Sequence, residues 1–93
     1  MRVADAIHEK LTAAFQPREI SVTDDSARHA GHSGATRDDG SHGETHFTVR
    51  IVSETFVGLS RVERQRRVYA ALADEMRGSV HALSLTALSP AEI

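Results

Sequence analysis

His46-Phe47-Thr48-Val49-Arg50-Ile51-Val52-Ser53 alternates apolar and polar side chains. Phe47, Val49 and Ile51 fall on one side, with His46, Thr48 and Arg50 on the other. At the two-residue period of a strand, this predicts one buried face and one wet face. Toward the N-terminus, Glu19-Ile20-Ser21-Val22-Thr23 shows the same period. It predicts a shorter strand, most simply an antiparallel partner. Before it, Val3, Ile7, Leu11 and Phe15 recur every fourth residue, with Ala14 alongside. That spacing makes an apolar stripe on a helix of about three turns. Pro17 stops this helix, because proline lacks the N–H and restricts the residue before it.

Toward the C-terminus, Phe56-Val57-Gly58-Leu59 reads as a turn. Ser60-Arg61-Val62-Glu63 then predicts a capping box at a helix start. Val62, Tyr69, Leu72, Ala73 and Met76 form the expected buried stripe of this second helix, and Gly78 closes it. From Val80 to Leu88, Leu83, Leu85 and Ala87 alternate with Ser84 and Thr86, which predicts a third strand ended by Ser89-Pro90. The expected order is α-β-β-α-β, an α+β fold with two helices packed on one face of a three-stranded sheet.

The 93 residues fit a single domain, 1–93, with one small core. Only 4% of them are aromatic, so Val, Ile, Leu and Ala must fill most of that core. The chain has no cysteine. Disulfides, thiol nucleophiles and cysteine-ligated metals are therefore excluded within it. A small domain without such staples is expected in a reducing, intracellular setting, and a cytoplasmic one is read here. No signal peptide and no apolar run of about 18 residues is visible, so no membrane association is expected. A net charge of −2 argues against strong general nucleic-acid binding, although a local basic patch stays open.

Between the first two strands, about residues 25–44, the composition changes. The stretch from Asp24 to Glu44 holds four of the six glycines and three of the six histidines, with no large apolar residue. It predicts a long mobile loop that gains order when a partner binds. His29, His32, His42 and His46 crowd within it and at its end. Neutral imidazole is a common ligand for transition metals, so the cluster reads either as metal-binding or as a set of solubilising side chains. His81 stands apart, between Val80 and the apolar third strand, where the backbone can fix its ring. It reads as a ligand or as a strand-end histidine with a backbone hydrogen bond. Arg61, Arg64, Arg66 and Arg67 gather at the start of the second helix. Guanidinium groups there suit phosphate oxygens, while Glu63 and Asp74 would balance them as a plain solvated face. No glycine-rich phosphate loop, nucleophile elbow or structured carboxylate pair is present, and no enzyme is expected.

Several stretches together resemble one family. They are Ala14-Phe15-Gln16-Pro17, Val22 to Ser26, Glu44-Thr45-His46-Phe47, Ile51-Val52-Ser53, Phe56-x-Gly58, Arg64-x-Arg66-x-x-Tyr69 and Val80-His81-Ala82-Leu83-Ser84. In this order they resemble BolA-family proteins over nearly the whole chain. The resemblance implies a class II KH-like fold. It also implies a monothiol glutaredoxin as partner and a [2Fe–2S] cluster shared with that partner and its glutathione, in iron–sulfur and iron homeostasis. No cluster is expected in the isolated chain, which would be a monomer or weak homodimer. Carried over, the ligand from the start of the last strand is His81, and the loop ligand is most like His29. His46 matches too and is read as structural, at a strand start. Two departures stand out. Arg64-Gln65-Arg66 occupies the place of the family's common Arg-His-Arg, and the longer loop adds His32 and His42 as alternative ligands. The resemblance also implies an alternative function as a nucleic-acid-binding transcriptional regulator, using the arginines of the second helix.

Overall fold

A computed structural model describes residues 2–25, 46–78 and 80–93. Helix α1 (Val3–Phe15) buries Ile7, Leu11 and Phe15, the fourfold stripe expected of it, while Val3 is half-buried and Ala14 exposed. It ends two residues before Pro17. Gln16 turns into the left-handed region (φ 46°, ψ 57°), and its N–H closes the last turn on the Thr12 carbonyl at 3.0 Å.

Strands β1 (Glu19–Asp24), β2 (His46–Val52) and β3 (Ala82–Leu88) form one sheet in the order β1-β2-β3. β1 runs antiparallel to β2, with Glu19 opposite Val52 and Asp24 opposite Phe47. β3 runs parallel to β2, with His46 opposite Ala82 and Val52 opposite Leu88. A parallel pair needs a long crossover, and the helical residues between Ser53 and His81 provide it. Phe47, Val49 and Ile51 of the central strand are at most 1% exposed. Ile20 and Val22 from β1, and Leu83, Leu85 and Ala87 from β3, pack around the same cluster, which also takes in Ile7, Leu11, Phe15, Val68 and Leu72 from the helices. The opposite face carries Ser21, Thr23, Thr48, Arg50, Ser84 and Thr86, all exposed. The helices therefore cover one face and water the other, as the alternation predicts.

The second helical region differs from expectation. It is two helices, α2 (Arg61–Ala71) and α3 (Ala73–Arg77), separated by Leu72 at φ −104°, ψ 22°. The break lets Leu72 be fully buried beside Val68, which sequence reading had left out of the stripe. Val62, counted in that stripe, is 55% exposed. It lies six residues before Val68, about 120° round the helix, and so points away from the core. Only half of the expected capping box forms. Ser60 Oγ accepts from the Glu63 N–H at 3.1 Å, but the Glu63 carboxylate faces Arg66 and Arg67 at 3.9 and 3.7 Å. Lys10 on α1 pairs with Glu75 on α3 at 2.8 Å, tying the two helices together.

The turn after β2 is more structured than expected. Glu54–Phe56 is a single 3-10 turn, capped by Ser53 Oγ accepting from the Thr55 N–H. Gly58 follows at φ +80°, a conformation that costs glycine little and other residues more. The start of β3 also shifts. Val80 is 3% exposed but donates to the Glu75 carbonyl, so it is tied back to α3 and the ladder begins at Ala82. Among the described residues, no helix is long and apolar enough to cross a membrane.

Candidate metal centre

β2 and β3 are parallel and start at the same level, so the residues at their N-terminal ends are neighbours. His46 is the first residue of β2, and His81 immediately precedes β3. Their ring centroids are 6.5 Å apart, with the planes 79° to each other. His81 is exposed and His46 half-buried. On either side of His81 the backbone is held: Val80 by burial against the helices, Ala82 by pairing with β2. An accessible imidazole on a fixed backbone loses little entropy when it takes a ligand.

His46, read from sequence as structural, thus lies beside His81. The signal that would have found it was present: both histidines sit at the start of a strand, and only the parallel pairing was not anticipated. His29, His32 and His42 lie outside the described residues, as does nearly all of the loop expected at about 25–44. Among the described residues no group of three or more His, Cys, Asp or Glu side chains could hold a metal. The pair His46–His81 offers imidazole nitrogens only, and the chain contains no cysteine. This donor set fits a [2Fe–2S] group only if thiolates come from another molecule, because such clusters are held mainly by cysteine sulfur. Among the described residues, His81 would be the one that holds it.

The arginines divide by environment. Arg64 is an internal clamp whose side chain is only 11% exposed. Its Nε donates to the Leu59 carbonyl at 3.0 Å, and one Nη donates to the Ala87 carbonyl at 3.0 Å and to Glu92 at 2.7 Å. One guanidinium therefore joins the start of α2, the end of β3 and the closing 3-10 turn Pro90–Glu92. Arg61, Arg66 and Arg67 are exposed and form the outward basic face. Sequence alone could not separate Arg64 from its neighbours, since its carbonyl partner Ala87 lies 23 residues away.

The far end of the clamp is a complete capping box. Ser89 donates to Glu92 through both its N–H, at 2.6 Å, and its hydroxyl, at 2.8 Å. The Ser89 N–H, then the Ser89 hydroxyl and Arg64, hold the Glu92 carboxyl down from 4.5 to about 2. A carboxyl whose pKa is depressed by folding stabilises the fold above its unfolded value and loses that effect as it is protonated. The contribution of Glu92 is therefore complete above pH 4.5 and lost as the pH falls toward about 2. Glu92→Gln should lower the urea midpoint at neutral pH, and the gap from wild type should close across that acid window. A gap that stays constant down to the lower limit would show that Glu92 does not act through its charge.

Comparisons with known proteins agree with the fold. Residues 11–92 match the family model of BolA, described as BolA-like protein. The chain is 47% identical over 87 residues to SufE-like protein 1, chloroplastic/mitochondrial, of Arabidopsis thaliana, covering 94% of this chain and 24% of that protein. It is 41% identical over 85 residues to the DNA-binding transcriptional regulator BolA of Escherichia coli, covering 91% of this chain and 73% of that one. The solved structure of BolA1 from Arabidopsis thaliana superposes with a TM-score of 0.82 at 35% identity, covering 100% of this chain and 98% of that one. The chain spans 24% to 60% of the length of the first plant and mammalian relatives it matches. With the fold, the order of its motifs and the matched length all in agreement, the chain belongs to the BolA family.

Proposed function

We propose that the chain is a non-enzymatic adaptor that partners a monothiol glutaredoxin and shares with it a histidine-ligated [2Fe–2S] cluster, in a cytoplasmic setting and in the service of iron–sulfur and iron homeostasis. The observation that carries this reading is an exposed His81 on a fixed backbone, in a chain with no thiolate. Such a group supplies one-electron chemistry, and histidine in place of cysteine on one iron raises its potential. The tasks of the chain itself are then to present the His81 ring without reorganisation and to leave the thiolate positions to the partner and its glutathione. A chain built this way depends on its partner for the rest of the ligand set.

Anaerobic reconstitution tests the proposal. Iron, sulfide, glutathione, glutaredoxin and this chain together should give a heterodimer with visible absorbance and circular dichroism unlike those of glutaredoxin alone. If the visible chromophore always elutes with glutaredoxin by itself, the adaptor reading is wrong.

A second reading has its own support. Arg61, Arg66 and Arg67 are exposed together on α2, and the Escherichia coli relative is named a DNA-binding transcriptional regulator. In this reading the three arginines contact phosphate, and binding should weaken steeply with salt. The variant for this purpose is Arg66→Gln with Arg67→Gln. Replacing Arg64 would break the clamp and confuse binding with folding.

A further inference from the structure

We propose that His46 and His81 together form a two-imidazole site for a single divalent transition-metal ion, such as Cu2+, Ni2+ or Zn2+, offered by the folded chain before any partner arrives. The chemistry is that of the donors, since imidazole suits this group of ions. The geometry is close to what one ion requires. Nitrogen ligands stand about 2.0–2.1 Å from such a metal, which puts each ring centroid about 3 Å from it and the two centroids roughly 4.5–6 Å apart. The observed 6.5 Å lies just beyond that range. His81 is exposed, so a small rotation of its ring closes the remainder without disturbing the core. His46 is half-buried at the first ladder position, where its pairing opposite Ala82 holds it beside the approaching His81 backbone. The two nitrogens come from adjacent strands of one rigid sheet, so much of the chelate's ordering is already done by folding. The inference shares His81 with the adaptor reading but needs neither glutaredoxin nor a cluster.

The experiment uses the full chain with Cu2+ as the probe. Because other histidines could mask the pair, the background is the triple variant His29→Ala, His32→Ala, His42→Ala, with far-UV circular dichroism as the check on folding. One equivalent of Cu2+ should give an electron paramagnetic resonance spectrum with hyperfine splitting from two imidazole nitrogens. His46→Ala and His81→Ala, each added to that background, should weaken binding about tenfold or more and leave at most one such nitrogen. Binding that survives His46→Ala unchanged, or a single-nitrogen spectrum in the triple variant, would overturn the proposal. Neither result bears on the shared cluster, whose own test is the heterodimer.

Discussion

His81→Ala is expected to leave the chain folded and to remove the stable shared cluster. The side chain is exposed, so its loss opens no cavity, and the neighbouring Val80 and Ala82 keep their burial and pairing. The cluster, in contrast, would lose the nitrogen ligand that comes from the start of β3. Removing even a supporting residue around a metal typically costs about 10–100-fold in affinity, and a direct ligand should cost at least as much. Chelator-driven loss of the cluster should therefore speed up at least about tenfold, with a collapse of the heterodimer's visible circular dichroism. His29→Ala should have a smaller effect, because His32 lies three residues from it in sequence and can replace it. The combination of His29→Ala and His32→Ala should approach His81→Ala. Equal damage from His29→Ala alone would leave the role of His81 standing but remove the argument for substitution within the loop.

Phe56→Ala is expected to have the largest effect on stability. Phe56 is completely buried, and its ring lies 5.0 Å from Phe15 at a tilt of 39°. The chain is only 4% aromatic, so few other side chains of that volume can collapse into the space. Truncating a buried phenylalanine costs about 3–5 kcal/mol. A domain of this length has on the order of 5–14 kcal/mol in total, so a large share of its stability would go. Urea unfolding followed by far-UV circular dichroism should show the midpoint falling steeply with little change in slope. A shift of less than about 1 kcal/mol would mean that the site repacks and that Phe56 is not a keystone of the core.

How far the fold was legible in sequence depended on the kind of signal. Phe47, Val49 and Ile51 lie in a central strand whose period is unambiguous, and their burial follows directly from it. Ile7, Leu11 and Phe15 do the same for α1. The second helical region misled because Val62 lies seven residues from Tyr69, a separation that mimics two helical turns, while the true anchor is the Val68–Leu72 pair at the break between α2 and α3. The sequence around Phe56 reads as a turn, and nothing local marks it as core. Its burial is created by the end of α1 folding back over it, a contact between residues far apart in sequence.

The candidate site divides in the same way. His81 was visible as a histidine held between apolar neighbours. The internal role of Arg64 was not, because it rests on carbonyl and carboxylate partners from three different segments. The approach of His46 to His81 required knowing that β2 and β3 are parallel. Once the helices are recognised as a crossover, that pairing follows, and both strand-start histidines come to one end of the sheet.

The adaptor reading turns on whether a histidine of this chain ligates a cluster shared with glutaredoxin. The most direct measurement is pulsed electron paramagnetic resonance on the reduced heterodimer, with only this chain carrying 15N-labelled histidine. A strongly coupled nitrogen should change from the 14N to the 15N pattern on labelling and disappear in His81→Ala. A reduced cluster with no strongly coupled histidine nitrogen from the labelled chain would contradict it.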